Sequence, residues 1–257
     1  RMPCTAVSRG TYELLVVAAK GGARYGMVMD EQGRPGNAAD TGLIKTVVLL
    51  HGIWSHGVGM FVIRRQLERE YGLDVHYFNY PSLKGTLDHN AAALYRFVDR
   101  LGKDGVHIIG HSLGGVVALR MLATRDDAPA GRIVCLGSPL TGSRAAEFLN
   151  RQDWADGLLG ATLPQGVLEA SANDWGSHVC AERDVGVIAG NVPLGVGRIV
   201  TTFDGPNDGT VAVAETRLDG TRDHLVMPVS HRGMVVSRRV ADQAWAFLRR
   251  GEFLRSP

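Results

Sequence analysis

From Lys45 onward, apolar positions fall into short β-branched runs separated by segments in which they recur every third or fourth residue. A run that is apolar throughout predicts a strand covered on both faces, and a period near 3.6 predicts a helix with one buried face. Thr46–Leu50 (TVVLL) reads as such a strand, ended by His51 and Gly52. Phe61–Tyr71 reads as a helix, and 74–80 (DVHYFNY) as a strand stopped by Pro81, which has no N–H to give a ladder. Leu94, Phe97, Val98 and Leu101 fall at i, i+3, i+4 and i+7, so the spacing predicts a helix over 88–101. Residues 106–109 form the next predicted strand, followed by a helix that starts at or just after Ser112 and runs to about Ala123. Further strands are predicted over 132–136, 185–189 and 224–229, and Val240, Ala244, Phe247 and Leu248 supply the core face of a final helix. The alternation predicts an α/β domain over 45–257, with a mostly parallel central sheet and helices on both faces.

Two stretches break the rhythm. Residues 1–44 precede the first predicted strand and carry no functional signal; within them 30–42 is rich in Gly, Asp and Asn and reads as a loop or linker. Residues 141–183 separate two strands by more than a crossover helix requires, and contain Trp154, Leu158, Leu159, Leu163, Val167, Leu168 and Trp175. Long insertions in compact domains tend to be functional, so this stretch is a candidate short cap over a site. An ordinary helix packed on the sheet is the competing reading for part of it.

Composition narrows the function classes. With 257 residues, 45% hydrophobic and 21% charged, the chain can bury a substantial core as one main domain. Its 28 basic and 26 acidic side chains leave a formal charge of +2 without a basic block, which speaks against nucleic acid as a partner. Cys4, Cys135 and Cys180 are odd in number and outside any CxxC pair, arguing against a disulfide framework or a structural zinc site. The apolar run 14–19 is too short to cross a membrane and lacks a secretory cleavage pattern, so the expectation is a soluble, cytoplasmic protein without integral membrane association. Oligomeric state is not legible.

Chemistry enters at Gly110-His111-Ser112-Leu113-Gly114, which follows an apolar strand and opens a helix. That is the context of a nucleophile elbow, where small flanking residues let strand and helix backbones close around a serine. The helix N-terminus would favour negative charge developing there. A Gly-rich turn with a capping serine is the bland alternative, and the strand before and helix after weigh against it.

A serine hydroxyl needs a base, held in turn by a third group. His231, in SHRGM on a predicted loop tip just past the last strand, is the preferred base; His224 begins that strand and should face its opposite end. His51 and His111 lie near the same sheet edge, but local backbone geometry should turn their rings to structural hydrogen bonds. Asp208, in the rigid turn GPNDGTV, is the preferred acid, with Asp204 as runner-up. The oxyanion would be met by the N–H of Leu113, after the nucleophile, and of Ile53, beside flexible Gly52. Trp54, Trp154, Leu158 and Leu159 are candidate lining residues of an apolar acyl pocket.

Taken in order, HGIW, GHSLGG, NDGTV and SHRGM resemble the α/β-hydrolase superfamily, and within it the bacterial esterase and triacylglycerol-lipase-like branch, over nearly all of the chain after residue 45. The resemblance implies a Ser112–Asp208–His231 triad, oxyanion donors at Ile53 and Leu113, and no metal or cofactor. NDG is where lipases of this branch keep their aspartate. The chain lacks the cysteine pair and obvious calcium loop of some secreted lipases. The expected function is hydrolysis of small-molecule or lipid-like carboxylic esters through an acyl-enzyme, with short-to-medium acyl chains or polyesters as substrates. An acyltransferase using the same triad is the near alternative, and a non-catalytic ligand-binding relative the distant one.

Overall fold

The computed structural model describes residues 44–53, 55–102, 104–142, 172–194 and 205–255, together with six short strands before residue 44. Two compact units divide the chain, Arg1–Asp40 and Thr41–Pro257. In the first, Val7–Ser8 (β1) pairs antiparallel with Glu13–Leu14 (β2), Val16–Ala19 (β3) with Gly22–Tyr25 (β4), and Val28–Met29 (β5) with Pro35–Gly36 (β6). Within the 30–42 stretch read as a loop or linker, Pro35–Gly36 is a strand, paired with β5; the rest of that stretch lies outside the described residues.

The second unit is built on six parallel strands in the order β12-β11-β10-β9-β7-β8. These are Thr46–Leu50 (β7), Asp74–Phe78 (β8), His107–His111 (β9), Ile133–Leu136 (β10), Val185–Gly190 (β11) and Asp223–Met227 (β12). The helices are Phe61–Tyr71 (α1), Leu87–Leu101 (α2), Leu113–Ala123 (α3), Ala172–Glu182 (α4), His231–Met234 (α5) and Arg238–Arg250 (α6).

The period of two along a strand divides the core into two layers. Val48 and Leu50 join Leu94 and Val98 of α2, Val116 and Leu119 of α3 and Val179 of α4 on one face. Val47 and Leu49 join Ile63 and Leu67 of α1 and Val240, Ala244 and Phe247 of α6 on the other. Every residue of β9, β10 and β11 is buried, His107 and His111 included, as strands with helices over both faces require.

The predicted elements agree with these to within a residue or two at most ends. Strand β8 stops at Phe78, two residues before the predicted end, and β9 runs on to His111. Helix α4 occupies the end of the 141–183 stretch, where Trp175 and Val179 pack on the α3 layer, so for those residues the ordinary-helix reading is the correct one. Residues 143–171, which hold Trp154, Leu158 and Leu159, lie outside the described residues, as do Trp54 and Asp204.

At the amino edge of the sheet, Asp184 accepts from Arg132 Nε at 2.8 Å and from Arg222 Nη1 at 3.2 Å, while Arg132 Nη1 also donates to Leu248 O at 2.9 Å. This knot ties β10, β11, β12 and α6 together away from the site. Cys135 and Cys180 are free thiols, and burial pushes Cys180 up to about 12. Among the described residues, no helix is long and apolar enough to cross a membrane.

Candidate active site

The chain leaves β7 for β8 on one side and returns to β9 on the other, so the strand order reverses at β7. Crevices at the carboxyl ends of strands beside such a reversal are where open α/β sheets bind ligands. Leu50 pairs with Gly110, and Leu136 with His111, which brings the segments after β7, β9 and β10 to one edge.

Ser112 stands between β9 and α3 with φ 54° and ψ −123°, and it is the sole positive-φ non-glycine among the described residues. Its N–H donates to Leu136 O at 2.8 Å and its carbonyl accepts from Gly115 N at 3.1 Å. The turn can be this sharp because a Cβ on Gly110 would lie 2.5 Å from Gly115 N, and one on Gly114 2.6 Å from Leu50 O. Leu113 is the first residue of α3, where an N–H has no carbonyl one turn back within the helix to bond.

Asp208 is almost fully buried, at 1% exposure. Its Oδ1 accepts from Thr210 N at 2.9 Å and Val211 N at 2.7 Å, leaving Oδ2 to accept from His231 Nδ1 at 2.7 Å. Main chain joins the pair as well: His231 N donates to Asp208 O at 2.9 Å. His231 opens the short helix α5, whose N-cap Ser230 accepts from Gly233 N, instead of sitting on an irregular loop tip. An SxxG spacing after a strand carried that capping signal in the sequence. His224 is elsewhere, its Nε2 at 2.9 Å from Thr216 Oγ1.

His51 and His111 are both occupied. His51 Nδ1 donates to Gly52 O at 2.8 Å while its Nε2 accepts from Tyr80 N at 3.3 Å. The Tyr80 hydroxyl donates to His51 O at 2.8 Å and its ring stacks on the imidazole at 4.5 Å. This clamp orients the turn that carries Ile53, and a Cβ on Gly52 would lie 3.0 Å from Ser112 Cβ. Tyr80 was missed as a site residue because its partner becomes visible only when β8 is known to lie beside β7. His111 Nε2 donates to His231 O at 3.0 Å.

Burial lowers the pKa of His51, and the neighbouring His56 charge adds to this. Burial, with His231, His51 and Arg232 nearby, brings His111 down to about 3. Unfolded histidines take up protons below about 6.5, whereas His111 stays neutral in the fold down to about 3, so the unfolded chain binds more protons and stability falls as pH drops from 6.5 toward 3; the lowered pKa of His51 acts in the same direction. His111 alone should remove about 2 kcal/mol between pH 7 and pH 5. Urea denaturation at the two pH values measures this, and His111→Gln should show a visibly smaller loss than the wild type.

Among the described residues, no group of three or more His, Cys, Asp or Glu side chains is placed to hold a metal ion. The arrangement puts a buried carboxylate–imidazole pair on the same sheet edge as a strained serine turn and the first turn of α3. Exposed apolar side chains Val58 and Phe61 follow β7 in the chain, and Leu194 follows β11.

Comparison with known proteins adds the following. A family model described as alpha/beta hydrolase family matches residues 47–254. Lipase LipV of Mycobacterium tuberculosis is 36% identical over 66 residues, a match that spans 25% of this chain and 25% of that protein. The mature lipase BlEst2 of Bacillus licheniformis superposes with a TM-score of 0.62 at 17% identity, covering 81% of this chain and 92% of that one. The metagenomic carboxyl esterase MGS0156 gives a TM-score of 0.58 at 20% identity, with 74% and 65% covered. A thermophilic esterase of Thermogutta terrifontis gives 0.55 at 14% identity, with 80% and 90% covered. At these identities the structural likenesses establish a shared fold.

Proposed function

Because the chain belongs to the alpha/beta hydrolase family, we propose that it is a serine hydrolase of carboxylic esters working through Ser112, His231 and Asp208. The observation that carries this reading is the buried 2.7 Å bond between His231 Nδ1 and Asp208 Oδ2, on the edge where Ser112 is forced into its strained turn. Asp208 fixes the imidazole with Nδ1 protonated, so that Nε2 is the basic nitrogen. Ser112 Oγ attacks the ester carbonyl and Nε2 takes its proton. The tetrahedral oxyanion is met by the N–H groups of Ile53 and Leu113, each worth about 3–4 kcal/mol in enzymes where such a donor was removed. The C–O bond breaks, the alcohol leaves with the proton from His231, and water activated by the same nitrogen releases the acid.

Esters with apolar acyl groups fit the exposed Val58, Phe61 and Leu194, and the lipase and esterases with which the chain shares sequence or fold favour the same substrate class. Short-to-medium acyl chains, and polyesters that lie across an open edge, are the substrates proposed. Hydrolysis of nitrophenyl esters from acetate to palmitate tests the reading: a pre-steady-state burst of nitrophenol and fastest turnover on the shorter chains are expected. No hydrolysis at any length would overturn it. Product diverted to a new ester by added alcohol, at the expense of free acid, would reassign the second step to acyl transfer.

A further inference from the structure

We infer that His111 is a positioning residue that sets where His231 stands relative to Ser112, an inference that rests on the triad reading above. His111 Nε2 donates to the main-chain oxygen of His231 at 3.0 Å, across 120 positions of sequence, and the two rings lie 4.6 Å apart at 47°. On its other side His231 is held by Asp208, through both the main-chain N–H and Nδ1. The Asp208 contacts fix the base to the acid turn, but neither refers to the nucleophile. The His111 bond does, because His111 ends β9 immediately before Ser112. It therefore ties the backbone that carries the base to the backbone that carries the hydroxyl.

The surroundings of His111 suit a fixed, neutral donor. It is buried between the turn after β7, where a Cβ on Gly52 would lie 3.2 Å from its Nδ1, and the start of α5. The charged or titratable groups facing it are His231 and Arg232 from α5 and His51 from the β7 turn, all cationic when protonated. When His231 becomes imidazolium during acyl transfer, these neighbours and burial keep His111 uncharged. Its Nε2 keeps its proton and goes on donating to the His231 carbonyl, and its ring does not divert the proton passing between Ser112 and His231.

Displacing a reacting group by about 1 Å can cost about a hundredfold in rate. His111→Phe keeps the ring volume and loses the donor; His111→Gln keeps a donor of similar reach. With nitrophenyl butyrate, the phenylalanine variant should lose about 10- to 100-fold in kcat with KM within about twofold of wild type. The glutamine variant should recover most of that loss. Thermal melting of each variant separates this from unfolding, and if the phenylalanine variant does not fold, His111→Asn, too short to reach the carbonyl, replaces it in the same comparison. A folded donorless variant with wild-type kcat, or equal kcat in the donorless and glutamine variants, overturns the inference. Either result, in an enzyme that Ser112→Ala still inactivates, leaves the ester-hydrolase reading standing; absence of hydrolysis by the wild type refutes that reading instead.

Discussion

Ser112→Ala is expected to lower kcat for nitrophenyl butyrate by about a million-fold, with the protein still folded. Alanine keeps the Cβ and meets the same backbone requirement at φ 54°, so the substitution removes the hydroxyl without relaxing the turn. What remains is the contribution of the N–H donors at Leu113 and Ile53 and of binding, which in serine hydrolases still exceeds uncatalysed hydrolysis by about a thousandfold. Two measurements check this together: steady-state rates, and covalent labelling by a fluorophosphonate, which should mark the wild type at Ser112 and leave the variant untouched. Equal rates in wild type and variant would remove Ser112 from the mechanism.

Asp208→Asn has the next largest expected effect, about ten-thousandfold in kcat. The asparagine oxygen can still accept from Thr210 N and Val211 N, which keeps the turn closed. Its NH2 then faces His231 Nδ1, and that nitrogen must become the acceptor. The imidazole proton moves to Nε2, where it blocks uptake of the Ser112 proton. The melting temperature should change little while activity collapses. Asp208→Ala should add a stability loss of about 1–3 kcal/mol, because the Val211 N–H is left buried without an acceptor. A folded Asp208→Asn variant with near-normal kcat would show that the acid lies elsewhere.

Much of this site is legible in the residues because its parts are local. A largely apolar strand, a glycine-flanked serine and an apolar helix in direct succession define the elbow at Ser112 without reference to the rest of the chain. The same holds for Asp208, whose turn bonds reach only to Thr210 and Val211. Contacts between distant segments were not legible. That His51 and His111 would be engaged structurally followed from their positions, yet their partners, Tyr80 and the His231 carbonyl, lie 29 and 120 residues away and depend on sheet order. The Arg132–Asp184–Arg222 knot escaped for the same reason. At the N-terminus, β5 and β6 are two residues each, too short for a period of two to show in the sequence. The start of α5 at His231 was passed over because a four-residue helix has no period to detect.

The backbone conformation of Ser112 sets fold stability and chemistry against each other. A side chain held in that region of φ and ψ costs about 1–3 kcal/mol, and glycine would relieve it. A population of variants screened for heat resistance alone would therefore be drawn toward glycine at position 112 and away from a hydroxyl. Retaining the serine requires that turnover itself be under selection, so thermostabilisation of this chain should screen for activity in every round.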